Sequence, residues 1–442
     1  MLSPRAWRVL GIALVALAVW VRVHDVLNFP QDWGFDSAHN WRYMYRLSED
    51  RALPHPTAGW ATADPPLYFA IGAAVMGTFG AVGKPGWSLV AVPLLGVLAG
   101  LGVVALAVSL VRRVAPGDEL RAWIAAGLLL YLPAHVQMSV MVNEEVLVAL
   151  LVAGCVWLLA LRPEWPAAAG AASGLAVLTK LTGLAAVAAS GLTYLVEGAR
   201  RRAWKPTLRA LALIGLVATL TGGWWFVRNR AVHGWFQPFG MPAHQIMFGM
   251  PPGERSLQDY VYMPVATFTD PQLLNPDLLR SVWGSTYATL WFDGHRAFLP
   301  RDDPRVTSLG TLTLLLGLLP TLAFGLGLLR GMRRARARPG TPDLPLLAIT
   351  GISLAGFSVY AWVNPWFVVL KATSLSALAL PFAFYASEVL TGWLRRGAAA
   401  SWAVGVILAL LALGTTATAS FNVLFEKQEL PGLEWRSEGQ AN

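Results

Sequence analysis

The sequence predicts an all-α, polytopic membrane protein, and three observations carry that prediction. The 442 residues are 55% hydrophobic and only 13% charged, with a mean hydropathy of +0.52, too apolar for a soluble globular chain. A helix needs about 20 mostly apolar residues to cross a bilayer, and such runs recur about eleven times. The formal net charge of +9 gathers in short basic clusters beside those runs, a pattern that sets membrane orientation and meets anionic lipid and is not a nucleic-acid footprint. The single cysteine, Cys155, lies inside an apolar run, which excludes an intramolecular disulfide framework and a cysteine-cluster metal site. Most of the 20 tryptophans fall near run ends, where indole favours the interface.

Taken in order, Arg5 and Arg8 precede an apolar run over residues 10–23 with no small-x-small cleavage site after it. It reads as an uncleaved first helix with a cytoplasmic N-terminus. The loop that follows, residues 24–65, is then extracytoplasmic. Residues 32–69 carry five acids, three arginines, two histidines and six tryptophans or tyrosines between uncharged runs. Asp36 or Ser37 caps a helix running to about Asp50, with Ala38, Trp41, Met44 or Tyr45, and Ser48 on one face and Arg42, Arg46 and Glu49 on the other. An amphipathic helix of that size beside a membrane lies in the interface. Pro54 and Pro56 break the chain, and Pro65-Pro66 opens the next apolar segment. Apolar runs follow over 87–111, 120–132, 146–161, 167–178, 182–196 and 211–227, interrupted by HVQMSVMVNEE at 135–145 and by Lys180. Residues 229–305 form a long polar insertion, rich in Pro, Gly and aromatics, and loops of that length are usually functional. Helices over 306–329, 344–363, 367–387 and 401–421 complete the set, with 422–442 as an extracytoplasmic tail. The chain thus divides into a module of residues 1–228, the loop 229–305, C-terminal helices within 306–421, and the tail.

Counting every apolar run as a crossing gives an even total, whereas the basic clusters at 112–113, 200–209, 330–338 and 395–396 demand an odd one. The conflict vanishes if one segment between Pro66 and Val111 does not cross. That places Asn143–Glu145 and Lys180 on the same side as Asp36.

Five stretches in this order and spacing, GFDSAHNW, DPPLYF, VMVNEEVLVALL, GLAVLTKLTGLAAVAA and WWFVRNRAVHGW, with a later LKATSLSALALPFAFYA, resemble the GT-C superfamily of integral-membrane glycosyltransferases, in particular its protein O-mannosyltransferase and aminoarabinose-transferase branch. The likeness spans most of residues 7–390. The chain departs from the family in carrying Asp36-Ser37 where Asp-Glu is frequent, and Asp64 where His or Lys often precedes the double proline. The resemblance implies a GT-C fold of about eleven crossings in a bacterial cytoplasmic membrane. It also implies transfer of a hexosyl or pentosyl group, on the outer face, from a polyprenyl-phosphate donor to a lipid, glycan or protein hydroxyl. Asp36 matches the family's general base.

Each candidate has a second, purely structural reading. Asp36 is a base or an N-cap. Asp64 is a site carboxylate or a turn former. Asn143, Glu144 and Glu145 are site groups or caps of the helix that follows. His39 binds donor phosphate or a metal, or sits in the interface. Tyr68 belongs to the DPPLYF stretch and is a donor-binding candidate. Lys180, Arg228 and Arg230 face a leaving phosphate, or snorkel and anchor helix ends. His244, Asp293 and His295 bind acceptor or solvate the loop, and the loop aromatics stack on a sugar or form the loop's own core. Asp36, His39, Asp64 and Glu144 are hard or borderline ligands, but no spacing specifies a metal, so no cofactor is expected, with a divalent ion as the variant. A polyprenyl-linked lipid or sugar transporter is the alternative function, and a non-catalytic scaffold the third. Oligomeric state is not readable.

Overall fold

The computed structural model describes residues 4–236, 255–271, 275–294, 296–365 and 369–427, all of them helix, turn or loop without a strand. The first half holds α1 (Pro4–Asn28), α2 (Ser37–Asp50), α3 (Leu67–Ala81), α4 (Ser88–Val114), α5 (Glu119–Leu130), α6 (Pro133–Val140), α7 (Glu145–Leu161), α8 (Pro166–Thr179) and α9 (Leu184–Arg201). Beyond them come α10 (Trp204–Ala218), α11 (Trp224–His233), α12 (Val282–Trp291), α13 (Pro304–Ala337), α14 (Asp343–Val363), α15 (Ala379–Leu394) and α16 (Ala398–Ala419). Among the described residues, eight helices are long and apolar enough to cross a membrane, or nine if α5 and α6, bent by 60°, form one broken span. α3, α7 and α8 are shorter apolar helices.

Local chemistry fixes several helix starts. Asp118 accepts the Arg121 N–H at α5 (3.2 Å), Ser281 Oγ the Gly284 N–H at α12 (2.9 Å), and Asp303 the Arg305 N–H at α13 (2.8 Å), where Pro304 fills the first position, each capping donors the helix itself leaves unpaired. α8 packs on α10 and the π-helical turn Thr219–Gly223 through glycines. A Cβ on Gly222 would lie 2.1 Å from the Gly174 carbonyl oxygen, and one on Gly170 would lie 2.9 Å from that of Ile214, so only small residues permit this backbone approach.

The break between α5 and α6 is filled from α1. The fully buried Arg22 donates to the Ala18 and Leu130 carbonyls (3.0 and 3.1 Å) and meets His135 Nδ1 at 3.2 Å. Leu130 is the last residue of α5, so the guanidinium satisfies a carbonyl the broken helix leaves without an intrahelical partner.

The basic clusters meet at one end of the bundle. Arg112 pairs with Glu119 (2.8 Å) and Arg395 with Asp118 (2.6 Å). Arg334 grips Asp343 through two nitrogens (2.7 and 2.9 Å) and Glu388 (2.8 Å), and Glu388 also meets Arg121 (3.4 Å). Arg200 donates to the Ala335 carbonyl, and Glu197 holds both Arg201 (2.9 Å) and the Gly340 N–H (2.7 Å). α4 ends here, 27 residues from its start. Its other end lies beside the start of α3, since Val92 shares a buried cluster with Tyr68, Phe69, Tyr43 and Val142. The start of α3 and the start of α4 therefore lie together at the end of the bundle opposite these arginines.

Two expectations need correcting. α2 has the expected bounds, but its packed face is Ser37, Asn40, Tyr43 and Met44, with Trp41 half-buried at its edge and Tyr45 exposed. It packs on α3, where a Cβ at Gly72 would collide with Met44 Sδ, so tertiary contact and not the interface alone selects the face. Asp293 is structural, because its carboxylate accepts the N–H groups of Ala297, Phe298 and Leu299 (3.1, 2.8 and 2.9 Å). In the same loop Tyr287, Trp291 and Phe292 are buried in the main core, whereas Trp235, Phe236 and Tyr262 are exposed. His244 and His295 lie outside the described residues.

Candidate functional site

Opposite the basic end, the chain leaves α1, turns through Trp33-Gly34-Phe35-Asp36 and enters α2. Asp36 adopts a left-handed backbone (φ 63°, ψ 5°), and its side chain makes no capping bond. The expected N-cap role fails for that reason, although the Asp36 carbonyl still accepts the Asn40 N–H at 2.9 Å. Left-handed geometry at a residue with a Cβ costs on the order of 1–3 kcal/mol and persists only where the surroundings over-determine it. Here they do. A Cβ at Gly34 (φ 114°) would meet Ser37 Oγ at 2.6 Å, Trp41 Nε1 donates to the Gln31 carbonyl at 2.7 Å, and Phe35 packs on Phe298. The Asp36 carboxylate is left exposed.

Three other segments bring charge to this place. Asp64 precedes the double proline that opens α3. Glu144 and Glu145 start α7, where the Asn143 side chain accepts the Glu145 N–H at 2.9 Å. Lys180 ends α8 with an extended backbone and reaches both acids, Glu145 at 3.0 Å and Glu144 closer still. Asn40 on α2 donates to Glu144 Oε2 (3.4 Å) and to the Val142 carbonyl (2.9 Å), joining the first loop to α7. Burial pushes the Asp64 carboxyl up to about 7, and the charges of Glu144, Asp36 and Glu145 act in the same direction while Lys180 opposes them. Asp36, Asp64, Glu144 and Lys180, drawn from four stretches of sequence, therefore share one electrostatic neighbourhood. Among the described residues, neither Asp36 nor Asp64 forms an ion pair.

The remaining candidates surround it. Tyr68 is buried on α3 with its ring 5.6 Å from Phe69. Burial raises the pKa of the Tyr43 hydroxyl, Asp64 reinforces the shift and Arg228 opposes it. Arg228 lies over the Trp225 ring (5.4 Å) and donates to Asn229 Oδ1 (3.3 Å), while Arg230 is exposed and bonded to the Gly234 carbonyl. His39 is buried on α2, stacked on Trp60 at 5.8 Å, in a recess with Arg42 and Arg46. Asn143 is a local brace, donating to the Met138 and Met141 carbonyls, each at 3.2 Å. The sequence reading missed Asn40 and Lys371, whose ammonium stands over Phe35. The last was legible as the lysine leading LKATSLSALALPFAFYA.

Among the described residues no group of three or more His, Cys, Asp or Glu side chains is arranged to hold a metal ion. Glu144 and Glu145 are turned onto Lys180, so a hard cation would compete with a buried ammonium for them. The site as built holds two acids without an ion-pair partner among the described residues, a charge-compensated acid pair, and cations on its flanks.

No protein-family model and no curated protein matches the sequence. Solved structures do match. The Archaeoglobus fulgidus oligosaccharyltransferase, in its complex with Zn and sulfate, has a TM-score of 0.52 at 16% identity, covering 92% of this chain and 53% of its own. The archaeal oligosaccharyltransferase AglB from the same organism, in complex with an inhibitory peptide and a dolichol-phosphate, has a TM-score of 0.50 at 16% identity, with 93% and 56% covered. ArnT from Cupriavidus metallidurans bound to undecaprenyl phosphate gives 0.44 at 18%, with 94% and 77% covered. The chain spans little more than half the length of the archaeal enzyme. The archaeal structures have the GT-C fold of membrane glycosyltransferases, and the chain shares that fold.

Proposed function

We propose that the chain is a membrane glycosyltransferase moving a sugar from a polyprenyl-phosphate-linked donor to an acceptor hydroxyl on the extracytoplasmic face, with Asp36 as general base. The observation that carries this reading is the meeting of Asp36, Asp64, Glu144 and Lys180 at the end of a GT-C bundle opposite the arginine clusters. Lys- and Arg-rich ends stay cytoplasmic, which puts the acidic end outside. With α7 and α8 also crossing and α3 not, this reading has eleven crossings.

The Asp36 carboxylate takes the acceptor proton as the acceptor oxygen attacks the anomeric carbon. The bond from that carbon to the phosphate oxygen breaks, and the lipid leaves as its phosphate monoester. A base must come within about 3 Å of the proton it removes, and the held turn at the start of α2 supplies a fixed position. Cations on the flank favour the leaving phosphate. Arg228 supplies one, and around it Tyr43 Oη, Trp225 Nε1 and Asn229 Nδ2 are buried donors without a protein partner among the described residues. Lys180, already held by two carboxylates, orders the acid pair. The dolichol-phosphate on the archaeal neighbour supports a lipid phosphate as ligand. The acceptor class, lipid, glycan or protein, stays open within this reading.

One observation favours a second assignment, in which Asp64 is the base, because a carboxyl near 7 is well matched to proton transfer at neutral pH. A transporter without donor cleavage is disfavoured by charges gathered at the two bundle ends and by the absence of a sequence repeat. The test uses the full chain in lipid nanodiscs with a panel of polyprenyl-phosphate sugars and mixed acceptors. Release of polyprenyl phosphate by wild type, lost in Asp36→Asn with donor binding kept, supports the reading. Release lost only in Asp64→Asn moves the base, and donor binding without release from any donor and acceptor overturns the transferase.

A further inference from the structure

The Asp36 turn is held from outside by a residue far along the chain. Lys371 leads the 3₁₀ turn Ala372–Leu378, and its Nζ lies 4.3 Å from the centroid of the Phe35 ring, well inside cation–π range. Phe35 immediately precedes Asp36. Its ring also meets Phe298 at 6.0 Å and packs in a cluster with Met138 and Met141, so it is sandwiched between an ammonium and an apolar wall. The lysine is anchored in turn. Its own N–H donates to the Val369 carbonyl (2.9 Å), and the next N–H, of Ala372, donates to Thr289 Oγ1 on α12 (2.9 Å). Lys180 has two carboxylate partners, whereas among the described residues no carboxylate lies within 4.0 Å of Lys371.

We infer that Lys371 and Phe35 form a clamp that sets the Asp36 carboxylate. The ammonium presses the Phe35 ring onto Phe298, and the fixed ring fixes the backbone of the residue after it in the left-handed conformation that a Cβ resists. Lys371 is thus a positioning residue acting through Phe35, and α12 and the 369–378 strap contribute to the site by holding the clamp. The inference rests on Asp36 being the base. The competing role, direct contact of Lys371 with the donor phosphate, makes different demands, because Phe35 would then be dispensable.

The experiment compares Lys371→Met, Lys371→Arg, Phe35→Leu and the double variant Lys371→Met/Phe35→Leu in nanodiscs, following polyprenyl-phosphate release and donor binding. The clamp predicts that Lys371→Met and Phe35→Leu each lower kcat by up to about 10²-fold, the scale of a misplaced catalytic group, with donor KM unchanged. It also predicts that the double variant is no worse than either single and that Lys371→Arg restores turnover, since arginine also sits on aromatic faces. A raised donor KM in Lys371→Met with Phe35→Leu silent, or losses that multiply in the double variant, overturns it. A second readout needs no turnover. With 4-fluorophenylalanine at position 35, the ¹⁹F resonance shifts in Lys371→Met and returns in Lys371→Arg; an unmoved resonance overturns the clamp. Should wild type release nothing from any donor, the transferase reading fails and the ¹⁹F result still decides the clamp.

Discussion

The two ends of this bundle are both crowded with charge, yet they are built differently. At the arginine-rich end, Asp118, Glu119, Glu197, Asp343 and Glu388 each meet an arginine, and Arg334 alone ties together α13, α14 and α15. At the other end two acids share one lysine, and Asp36 and Asp64 have no ion-pair partner among the described residues. Fully matched ions lock helices together. Undercompensated ones cost folding free energy and are kept where proton transfer or ligand binding uses them. The contrast teaches that the number of charges does not mark the site; acids left without a basic partner do.

The sharpest way to break that comparison is to neutralise the unmatched acid. Asp36→Asn keeps a residue that tolerates the left-handed conformation, so the turn survives while the base is gone. The expected loss of polyprenyl-phosphate release is about 10²–10⁴-fold, the contribution of a general base, with donor affinity unchanged. Lys180→Met should cost about 3–5 kcal/mol of stability, since it strands two buried carboxylates. Thermal unfolding in detergent measures it, and Glu144→Gln/Glu145→Gln in the same background should recover most of the loss. Failure of that recovery would mean the acid pair is not what Lys180 compensates.

Asp64 gives a pH test with a definite sign. Its folded pKa of about 7 lies above the ordinary carboxyl value of 3.8, so the folded state holds a proton that the unfolded state releases. The stabilisation is complete below about 4 and is lost as pH rises through about 7. Asp64→Asn should therefore unfold a few degrees above wild type at pH 8, and the gap should close as pH falls toward 4. If Asp64 also takes part in the chemistry, kcat/KM of wild type falls below pH 7 and the variant lacks that inflection. The smallest effect belongs to the matched end. Arg334→Met should cost about 1–2 kcal/mol, reduced because the guanidinium is 39% exposed and screened by water. Turnover per folded molecule should not change; a change would show that the two ends communicate.

Much of the fold was legible in sequence because bilayer thickness imposes run length and basic residues choose a side. The bounds of α2 followed from Ser37 and the prolines after Asp50. What escaped notice depended on contacts across the chain. The buried face of α2 turns toward α3 because Met44 fits against Gly72, which no helical periodicity encodes. Asp293 reads like a site acid in any composition and is in fact consumed by three backbone N–H groups. Asp36 was singled out by position, but its left-handed backbone follows Phe35, which packs on Phe298 and lies under Lys371, both far along the chain. Lys180 stood out as a lysine amid apolar helices, while its satisfaction by a vicinal pair of glutamates belongs to the meeting of α7 with α8.

Arg22 imposes an order of events on biogenesis. It enters the membrane with α1, but the carbonyl and the imidazole that receive it, at Leu130 and His135, are 108 and 113 residues further along. At synthesis rates of about 5–20 residues per second, the guanidinium waits roughly 5–20 s for them. During that interval it is a cation on a lone helix, six residues from the end of α1 at Asn28, near enough for its side chain to reach upward to headgroups. The seating of α1 is therefore expected to wait for α5 and α6, whose Leu130 carbonyl and His135 imidazole receive the guanidinium.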